Sequence, residues 1–565
     1  MSKYYGIACL LSLYVMSLAP SCDGGSILVF PVDGSHWINM KVLMEELQSR
    51  GHKLTVIRAS NSWYIPEQSP LYTTVNLQME EAFEDFFDIF LEKQIKVHNS
   101  FDYWNLHLYY QEGASALTFL KLTKDFLHMI SHAHAIWCEA LEKILEDDKM
   151  VKSLLDAKYD LMLTDPAIAP GVVLAKHLKL PVVLNVRWVT SGDGQFQLAP
   201  SPLSYIPVPG SGFTDKMDFL QRAQNLFYYS ITQFQQYVLV GPSYDAICEK
   251  YIEGGCDIIS LLQDADIWLF RSDFVFDFPR PTMPNVIYMG GFQCKQAQPL
   301  SAELEDFMQS AGEHGVIIMT LGTLVNALPP DLADEIASIF AKLHQKVSTH
   351  WFRIIKQIVK KIIYLQFELL QVIWRHIGAR PSTVGNNTLI VDWMPQKDLL
   401  GHPQTKVFVA HGGTNGVQEA IYHGVPVLGI PLFFDQFDNL LRLQARGAGT
   451  IIRLNELNGE TFEQGLRELL HQEHYRDNMQ KLSRLHRDQP LSPMDQAVFW
   501  VEYVIRHKGA AHLRTQAYKM PWYSYYCVDV LLLLLSAVIG TVLCVVALFR
   551  FLCSRNRTKI KDKKQ

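Results

Sequence analysis

Residues 408–449 read FVAHGGTNGVQEAIYHGVPVLGIPLFFDQFDNLLRLQARGAG, and the rest of the chain is interpreted around them. A short apolar run, Val407 to Ala410, leads through His411 and the pair Gly412 and Gly413 into helix-like sequence. This order predicts a buried strand, a glycine turn and a helix. Free backbone N–H groups and the positive end of a helix dipole at such a junction favour a bound phosphate. Spacing alone therefore indicates an anion site in an α/β domain, with an ordinary tight turn as the alternative.

The same stretch contains signals for the ends of its elements. Asn415, followed three residues later by Gln418, fits a capping box at the start of the helix. Gly424 fits a helix end before a buried strand, Val425 to Ile430. A second helix is predicted over Phe437 to Arg446.

The stretch resembles the nucleotide-sugar signature of the UDP-glycosyltransferases, and specifically that of the vertebrate UDP-glucuronosyltransferases. The likeness includes the lead-in Trp393-Met-Pro-Gln396 and the pair Asp435-Gln436. It implies an α/β fold of the GT-B type, with two Rossmann-like domains facing across a cleft and a C-terminal transmembrane helix. The implied reaction is inverting transfer of glucuronate from UDP-glucuronate to a hydroxyl, carboxyl or amine of a small lipophilic acceptor.

The resemblance also implies how the donor is held. Trp393 would stack on uracil, Gln396 would contact the base or ribose, and Glu419 would hold the ribose hydroxyls. The 411–415 turn would meet the diphosphate, and the Asp435-Gln436 pair would hold the sugar hydroxyls. No metal or other cofactor is implied. The full donor set is Thr323, Trp393, Gln396, His411, Gly412, Gly413, Thr414, Asn415, Glu419, Asp435 and Gln436.

Two polar residues follow strand-like runs in the first half of the chain. His36 comes after the apolar run Ser26 to Phe30, and Asp165 ends the run that begins at Asp160. Because open α/β sheets bind ligands at the carboxyl ends of their strands, both residues are expected at the same edge. Position alone leaves a structural histidine and an Asp-Pro turn open. The resemblance implies a catalytic base, His36, made more basic by its partner Asp165, in motifs matching SHW and LTD.

Length and composition set the domain organisation. A chain of 565 residues exceeds what one hydrophobic core usually supports. Its net charge of -6 gives no reason to expect a nucleic-acid partner. The predicted division is a signal peptide (1–22), an acceptor-binding domain (23–297), a donor-binding domain (298–490), a returning helix and juxtamembrane segment (491–525), a transmembrane helix (526–549) and a basic cytosolic tail (550–565).

The C-terminal region predicts membrane attachment. Val530 to Phe549 contains no charged residue and, at about 1.5 Å per residue, is long enough for a hydrocarbon core of roughly 30 Å. The basic residues that follow favour the cytoplasmic side, which predicts a single-pass type I protein with lumenal catalytic domains. Lys561 and Lys563 resemble a dilysine retrieval signal of the endoplasmic reticulum, although a plain positive flank explains them equally well. The bilayer is therefore an expected partner.

Several weaker motifs carry predictions of their own. The cysteines lack metal-ligand spacing, and any disulfide pairing stays open. His132 and His134 would face apart on a helix and are predicted at the surface. Gln263 to Asp266 contains a DxD spacing, but metal binding is rejected because the resembled family needs no metal. Phe274 to Pro299 is predicted to link the domains, and Arg271 to contact the donor phosphates or carboxylate.

Residues 347–371 depart from the family pattern. They insert a basic, amphipathic segment between a helix predicted over Ala333 to Lys346 and the Val-Ile-Trp-Arg run at Val372 to Arg375. A retained intron read in frame is the preferred interpretation, and a helix resting on the membrane surface is the alternative.

Two rival functions stay open at this point. The chain could use another UDP-hexose, because the signature recognises UDP more surely than the sugar. It could also be an inactive, membrane-bound subunit that pairs with active relatives. A homo- or hetero-oligomer with related transferases stays open in either case. The presence of His36, Asp165 and the Asp435-Gln436 pair argues against inactivity. No spacing identifies the acceptor.

Overall fold

The computed structural model describes residues 24–80, 116–187, 189, 194–322, 328–343, 370–432 and 435–562. For residues 116–129 and 554–562 only the backbone is described. The predicted signal peptide, Thr323 and residues 347–369 of the atypical segment lie outside the described residues.

The first part of the chain forms a parallel sheet whose strand order in the described residues is β3-β2-β1-β4-β5-β6-β7. Its strands are β1 (Ser26–Phe30), β2 (Lys53–Ala59), β3 (Thr73–Leu77), β4 (Leu161–Thr164), β5 (Val182–Val186), β6 (Ile267–Phe270) and β7 (Val286–Tyr288). The helices between them are α1 (Ser35–Ser49), α2 (Ala116–Glu146), α3 (Asp148–Asp156), α4 (Pro170–Leu178), α5 (Gln195–Leu198), α6 (Phe219–Phe234), α7 (Gly241–Tyr251) and α8 (Ile258–Gln263). A short π-helix, Gln235–Val240, joins α6 to α7.

A second parallel sheet follows, with the order β10-β9-β8-β11-β12-β13 in the described residues. Its strands are β8 (Val316–Thr320), β9 (Gln371–Arg375), β10 (Thr388–Val391), β11 (Thr405–Ala410), β12 (Val427–Gly429) and β13 (Gly449–Ile451). Its helices are α9 (Ala302–Gln309), α10 (Pro330–Lys342), α11 (Gln396–Leu400), α12 (Thr414–His423), α13 (Gln436–Ala445), α14 (Gly459–His471) and α15 (Glu473–Arg487).

The two sheets share one design that fixes where ligands can bind. Their central strands are apolar runs, buried on both faces because helices cover both sides. In the first sheet β1 pairs with β4, and in the second sheet β8 pairs with β11, in parallel register. On one side of each pair successive strands are added in one direction, and on the other side they are added in the opposite direction. Such a pair is a topological switch point, and open α/β sheets bind ligands there. Residues that follow these four strands are therefore the candidates for function.

After the second sheet the chain returns to the first. Helix α16 (Pro493–His507) packs against α1, β6 and β7. Asp266 supports this return, because its carboxylate accepts hydrogen bonds from the backbone N–H groups of Val182, at 3.0 Å, and Ala510, at 2.7 Å. The second aspartate of the DxD spacing thus has a structural role in the described chain.

Several predictions about local structure are wrong. The region predicted as a linker contributes β7 to the first sheet, because Val286–Tyr288 pairs with β6. Helix α12 begins at Thr414 after Gly413, which makes no side-chain capping bond, so the capping box at Asn415 is absent. The predicted helix end at Gly424 is confirmed, since this residue has φ +73°.

His134 is buried, contrary to the surface prediction. Its Nδ1 atom lies 3.0 Å from the Tyr244 hydroxyl, and burial lowers the pKa of the imidazole to about 4. Helical spacing gives the relative directions of His132 and His134, but it cannot show that α2 packs against α7. Nearby, Cys248 and Cys256 form a disulfide bond.

Residues 512–565 form a second compact unit, separate from residues 1–511. It contains a 3₁₀ turn, Gln516–Lys519, and the helices α17 (Trp522–Tyr525) and α18 (Val528–Asp562). Within α18, Val528–Cys553 is long and apolar enough to cross a membrane. The helix therefore extends beyond the predicted 526–549 segment at its carboxyl end.

Candidate active site

The first switch point holds a buried histidine and a buried aspartate. His36 lies in the first turn of α1, two residues after Gly34, whose φ of +69° allows the sharp entry from β1. Asp165 directly follows β4. Nδ1 of His36 donates to Oδ2 of Asp165 at 2.7 Å, and the two side chains are 8% and 0% exposed. The hydrogen bond orients the ring, and Nε2 then lies on the side of the ring away from Asp165.

Burial decides the charge state of this pair. Burial lowers the pKa of His36, whereas the Asp165 carboxylate raises the same pKa. The effect of burial is larger, so the pKa of His36 lies below its usual value. The predicted increase in basicity is thus outweighed by desolvation. For Asp165 burial raises the pKa, but His36 and Arg271 together bring it below its usual value. The pair is therefore a neutral imidazole next to a carboxylate at neutral pH, the state that a general base needs.

The second switch point holds the glycine turn. Gly412 has φ +89°, and a Cβ atom there would lie 2.6 Å from the carbonyl oxygen of Gln436. Gly322, after β8, has φ +83° and a Cβ atom there would lie 2.6 Å from the His411 ring. Both positions require glycine because the backbone is left-handed and crowded. The turn runs into α12, whose first N–H groups point toward the same edge of the sheet.

His411 is neutral in this turn. Burial is the main cause, and the nearby Arg187 guanidinium adds to it, so that the pKa of His411 falls to about 4. A neutral imidazole can donate one hydrogen bond to a diphosphate oxygen but contributes no full positive charge. Compensation of phosphate charge must therefore come from the backbone, the helix dipole or an arginine.

The base and ribose end of the predicted donor site is open. Trp393 is 75% exposed, as a stacking platform requires. Nε2 of Gln396 donates to Oε2 of Glu419 at 2.7 Å. Burial raises the pKa of Glu419 to about 7, although the Gln396 bond acts in the opposite direction. When ionised, the Glu419 carboxylate can accept hydrogen bonds from the hydroxyl groups of a ligand.

Asp435 has an unpredicted partner, Arg187, which directly follows β5. Nη2 of Arg187 lies 2.9 Å from Oδ1 and 3.1 Å from Oδ2 of Asp435, and its Nη1 donates to the Ser35 hydroxyl at 3.2 Å. Oδ2 of Asp435 also accepts from Thr414 at 3.0 Å and from Asn439 at 2.8 Å. Burial raises the pKa of Asp435, but Arg187 and these hydrogen bonds outweigh it, so Asp435 is ionised.

The two switch points are joined by a direct hydrogen bond. Nδ2 of Asn39, in α1, donates to Oδ1 of Asn415, in α12, at 2.8 Å. Together with the chain Ser35–Arg187–Asp435, this bond ties the helix of the candidate base to both helices of the donor region. Sequence reasoning missed Arg187 and Asn39, since nothing in their local pattern indicates a partner hundreds of residues away.

One cavity of about 710 Å³ contains most of the predicted residues. His36, Arg187 and Asp435 line this cavity. The donor-side residues in the lining are Trp393, Gln396, His411, Gly413, Thr414, Asn415, Glu419 and Gln436. A second cavity of about 210 Å³ shares Arg187, Thr414 and Asp435 with the first. The ion pair therefore lies where the two cavities meet.

The side-chain oxygen of Gln436 already has a structural partner, because Oε1 accepts a hydrogen bond from the backbone N–H of Leu432 at 2.8 Å. Asp165 lies behind His36 and does not line either cavity. Within the described residues no group of three or more His, Cys, Asp or Glu side chains is arranged to hold a metal ion.

Arg271 lines the second cavity with a buried guanidinium. The residue is 4% exposed, and its three side-chain nitrogens have no hydrogen-bond partner among the described residues. Burial lowers its pKa to about 10, which still leaves the group charged at neutral pH. A buried unpaired cation is costly, so this position favours an anionic ligand.

Comparison with known proteins places this geometry in context. A family model described as "UDP-glucoronosyl and UDP-glucosyl transferase" matches residues 25–353 and 366–564, with an interruption inside the 347–371 segment. UDP-glucuronosyltransferase 2A3 of Homo sapiens is 36% identical over 96% of this chain and 96% of its own length. UDP-glucuronosyltransferase 1A5 of Rattus norvegicus is 35% identical over 94% of this chain and 92% of its own length.

Solved structures agree at the level of the fold. The glycosyltransferase of kitacinnamycin aligns with a TM-score of 0.52 at 16% identity, covering 85% of this chain and 99% of its own. A UDP-glucosyltransferase from Polygonum tinctorium, capable of glucosylating indoxyl, aligns with a TM-score of 0.52 at 15% identity, covering 86% and 99%. The predicted GT-B architecture of two Rossmann-like domains is confirmed.

Proposed function

The chain belongs to the UDP-glucuronosyl and UDP-glucosyl transferase family, and from that premise we propose that it transfers glucuronate from UDP-glucuronate to small lipophilic acceptors with inversion. The observation that carries the proposal is the shared cavity. A neutral histidine supported by a buried carboxylate lines the same space as the glycine turn and the Asp435–Arg187 pair. The names of the full-length relatives support glucuronate as the sugar.

In the proposed reaction Nε2 of His36 takes the proton of the acceptor hydroxyl. The acceptor oxygen then forms a bond to the anomeric carbon, and the bond from that carbon to the UDP oxygen breaks on the opposite face. Asp165 stabilises the imidazolium that forms and keeps Nδ1 as the bonded nitrogen, as the acid does in a histidine-aspartate pair of a hydrolase.

The leaving diphosphate gains negative charge during the reaction. In the proposal the first N–H groups of α12 and its dipole stabilise that charge, with His411 donating a hydrogen bond. Trp393 and Glu419 hold the nucleoside, and Asp435 with Gln436 orients the sugar. Arg271 supplies a positive charge in the adjoining cavity, which favours an anionic sugar over a neutral one.

A donor panel tests this proposal directly. Microsomes expressing the full chain would be given one lipophilic phenol and UDP-glucuronate, UDP-glucose, UDP-galactose, UDP-xylose or UDP-N-acetylglucosamine. We expect the highest kcat/KM with UDP-glucuronate, and an Arg271→Met variant should lose that preference more than it loses activity with neutral sugars. A wild-type preference for a neutral hexose would contradict the assignment of the donor.

The proposal also places the protein in the endoplasmic reticulum membrane, with the catalytic domains in the lumen. Protease added to sealed microsomes is then expected to remove only residues after the span, because the membrane shields the rest. Immunoblotting with antibodies against residues on each side of α18 measures the outcome. Complete digestion without detergent would show the opposite orientation.

The inserted segment ends earlier than predicted, because Leu370 is buried in the core and Gln371 begins β9. Removal of residues 347–369 is expected to leave the fold intact and activity unchanged or higher. Loops that close strand-helix units are normally a few residues long, and the family match is interrupted inside this segment. The deletion would join Lys346 to Leu370, and thermal unfolding together with KM for the UDP-sugar would be compared with the full chain. A loss of expression or of donor affinity would assign the segment a role of its own.

A further inference from the structure

Gln418 is a buried residue of α12 that the proposed mechanism does not use. It is 2% exposed and lines neither cavity. The sequence predicts that its amide caps the start of α12, but in the structure the amide points away from its own helix. It bonds to the chain segments that follow β6 and β7 in the first sheet. The role of this side chain therefore depends on what those two segments carry.

The amide of Gln418 has partners at both of its polar atoms. Nε2 donates to the carbonyl oxygen of Arg271 at 2.8 Å. Oε1 accepts from the backbone N–H of Gly291 at 3.2 Å and from Nε2 of Gln293 at 2.9 Å. Because one backbone partner is a carbonyl and the other an N–H group, the surroundings determine the orientation of the amide. One side chain of α12 thus holds the ends of two neighbouring strands of the first sheet.

The bond to Arg271 completes the hydrogen bonding at the end of β6. The backbone N–H of Arg271 donates to the carbonyl of Val186 at 3.0 Å, which continues the pairing of β5 with β6. Among the described residues, the carbonyl of Arg271 accepts from Gln418 alone. A buried carbonyl without a donor is costly. The Gln418 amide therefore determines where the backbone of Arg271 lies relative to α12.

Arg271 also carries the unpaired guanidinium of the second cavity. Thr414, at the start of α12, lines that cavity together with Arg271. Thr414 and Gln418 are four positions apart and so lie on one face of the helix. This face presents a hydroxyl to the cavity and, one turn later, an amide to the backbone that carries the cation. The place of the cation relative to the start of α12 is thus set through a single hydrogen bond.

A separate buried contact holds the same region to α15. Nδ1 of His486, in α15, lies 2.6 Å from Oδ2 of Asp273. Gly291 packs against the His486 ring, where a Cβ atom would overlap the imidazole. These contacts do not involve Gln418. Loss of the Gln418 amide should therefore move Arg271 locally and leave the two sheets together.

We infer that Gln418 is a positioning residue that sets the Arg271 guanidinium at the right place for a charged UDP-sugar. The diphosphate and the sugar carboxylate must meet the start of α12 and the guanidinium at the same time, so the separation of these two groups must match the ligand. Gln418 itself touches neither donor nor acceptor. The inference rests on the proposed function in one respect, the use of Arg271 for an anionic sugar.

A double-mutant cycle assayed with two donors tests the inference. Gln418→Met keeps about the same side-chain volume but removes the hydrogen bonds, and Arg271→Met removes the cation. The wild type, both single variants and the double variant would be expressed as full chains in microsomes. For each, the ratio of kcat/KM with UDP-glucuronate to kcat/KM with UDP-glucose would be measured on one phenol. Gln480→Met is the matched control, because the Gln480 amide donates to the carbonyl of Gly424, at the other end of α12, at 3.1 Å.

We expect Gln418→Met to lower this ratio at least fivefold. When Arg271 is already replaced by methionine, the same change should lower it less than twofold. Gln480→Met should also lower it less than twofold, whatever its effect on the unfolding temperature. An unchanged ratio in Gln418→Met would overturn the inference and leave Gln418 as a packing residue. A full fivefold loss in the Arg271→Met background would overturn it as well, because Gln418 would then act by another route.

The same measurements separate this inference from the proposed donor. A wild-type ratio below one would contradict UDP-glucuronate as the donor, whereas the change caused by Gln418→Met would still test the positioning role. If Gln418→Met fails to fold, Gln418→Glu gives the same comparison. The ionised glutamate keeps an acceptor for Gly291 and loses the donor to Arg271. Thermal unfolding of each chain verifies that the compared variants are folded.

Discussion

Replacing His36 by alanine is expected to abolish transfer to phenols and alcohols while leaving the affinity for UDP nearly intact. The side chain is the only proposed group that accepts the acceptor proton, and general base catalysis contributes about 10²- to 10⁴-fold. The proposed nucleotide contacts, Trp393, Gln396 and Glu419, come from the second sheet and its helices rather than from α1. Initial rates and calorimetric titration with UDP measure the two quantities separately.

Two further variants test whether the loss of activity is specific to the His36–Asp165 pair. Asp165→Asn should reduce kcat severely, because the amide can no longer stabilise the imidazolium or enforce the ring orientation. His474→Ala is the matched control, since His474 is an exposed histidine in α15, and it should behave as wild type. Near-normal turnover of His36→Ala would remove His36 from the mechanism.

The pH dependence follows from the direction of the pKa shift of His36. Burial lowers that pKa below 6.5 in the folded protein, so the base stays neutral at pH 7 and loses activity only in more acidic solution. The folded state binds fewer protons than the unfolded state in the window between the lowered pKa and 6.5. Stability should therefore fall as pH decreases through that window, and His36→Ala should reduce this dependence.

The sequence predicts those parts of the site that have a local signature or that follow from the parallel order of the strands. The run Val407 to Ala410, the glycine pair and the following helix could be recognised because a buried strand, a left-handed turn and a helix start each have local signatures. His36 and Asp165 could be placed at one edge because parallel strands end together. Their 2.7 Å hydrogen bond is consistent with that placement.

What the sequence could not supply are contacts between distant elements and the effects of burial. The partner of Asp435 is Arg187, 248 residues earlier, and no periodicity connects two loop residues on different sheets. Asp165 does raise the pKa of His36, as predicted, but the larger lowering by burial could not be foreseen, because it depends on how tightly α1 packs. The surface prediction for His134 is wrong because helical spacing gives the direction of a side chain and not what the helix packs against.

The second large effect is expected when the Arg187–Asp435 pair is broken. Both kcat/KM for the UDP-sugar and the stability of the fold should fall. Asp435→Asn is expected to lower kcat/KM for the UDP-sugar by about 100-fold, since hydrogen bonds from sugar hydroxyls to a charged acceptor are worth about 1.5–3 kcal/mol each. The same change leaves the guanidinium of Arg187, 12% exposed, without its carboxylate. Removing one partner of a buried pair costs about 3–5 kcal/mol, and less where some water reaches it.

Arg187→Met combined with Asp435→Asn separates these two effects. The double variant has no unpaired charge, so its unfolding temperature should recover most of the loss seen in Asp435→Asn, while donor use stays low because the carboxylate is still absent. Arg187→Met alone should lose stability through the unpaired Asp435 but keep measurable transfer. Thermal unfolding and donor kinetics on all four chains complete a double-mutant cycle. If transfer recovered together with stability, Asp435 would act only by holding the two domains together, and the sugar hydroxyls would have to bind elsewhere in the cavity.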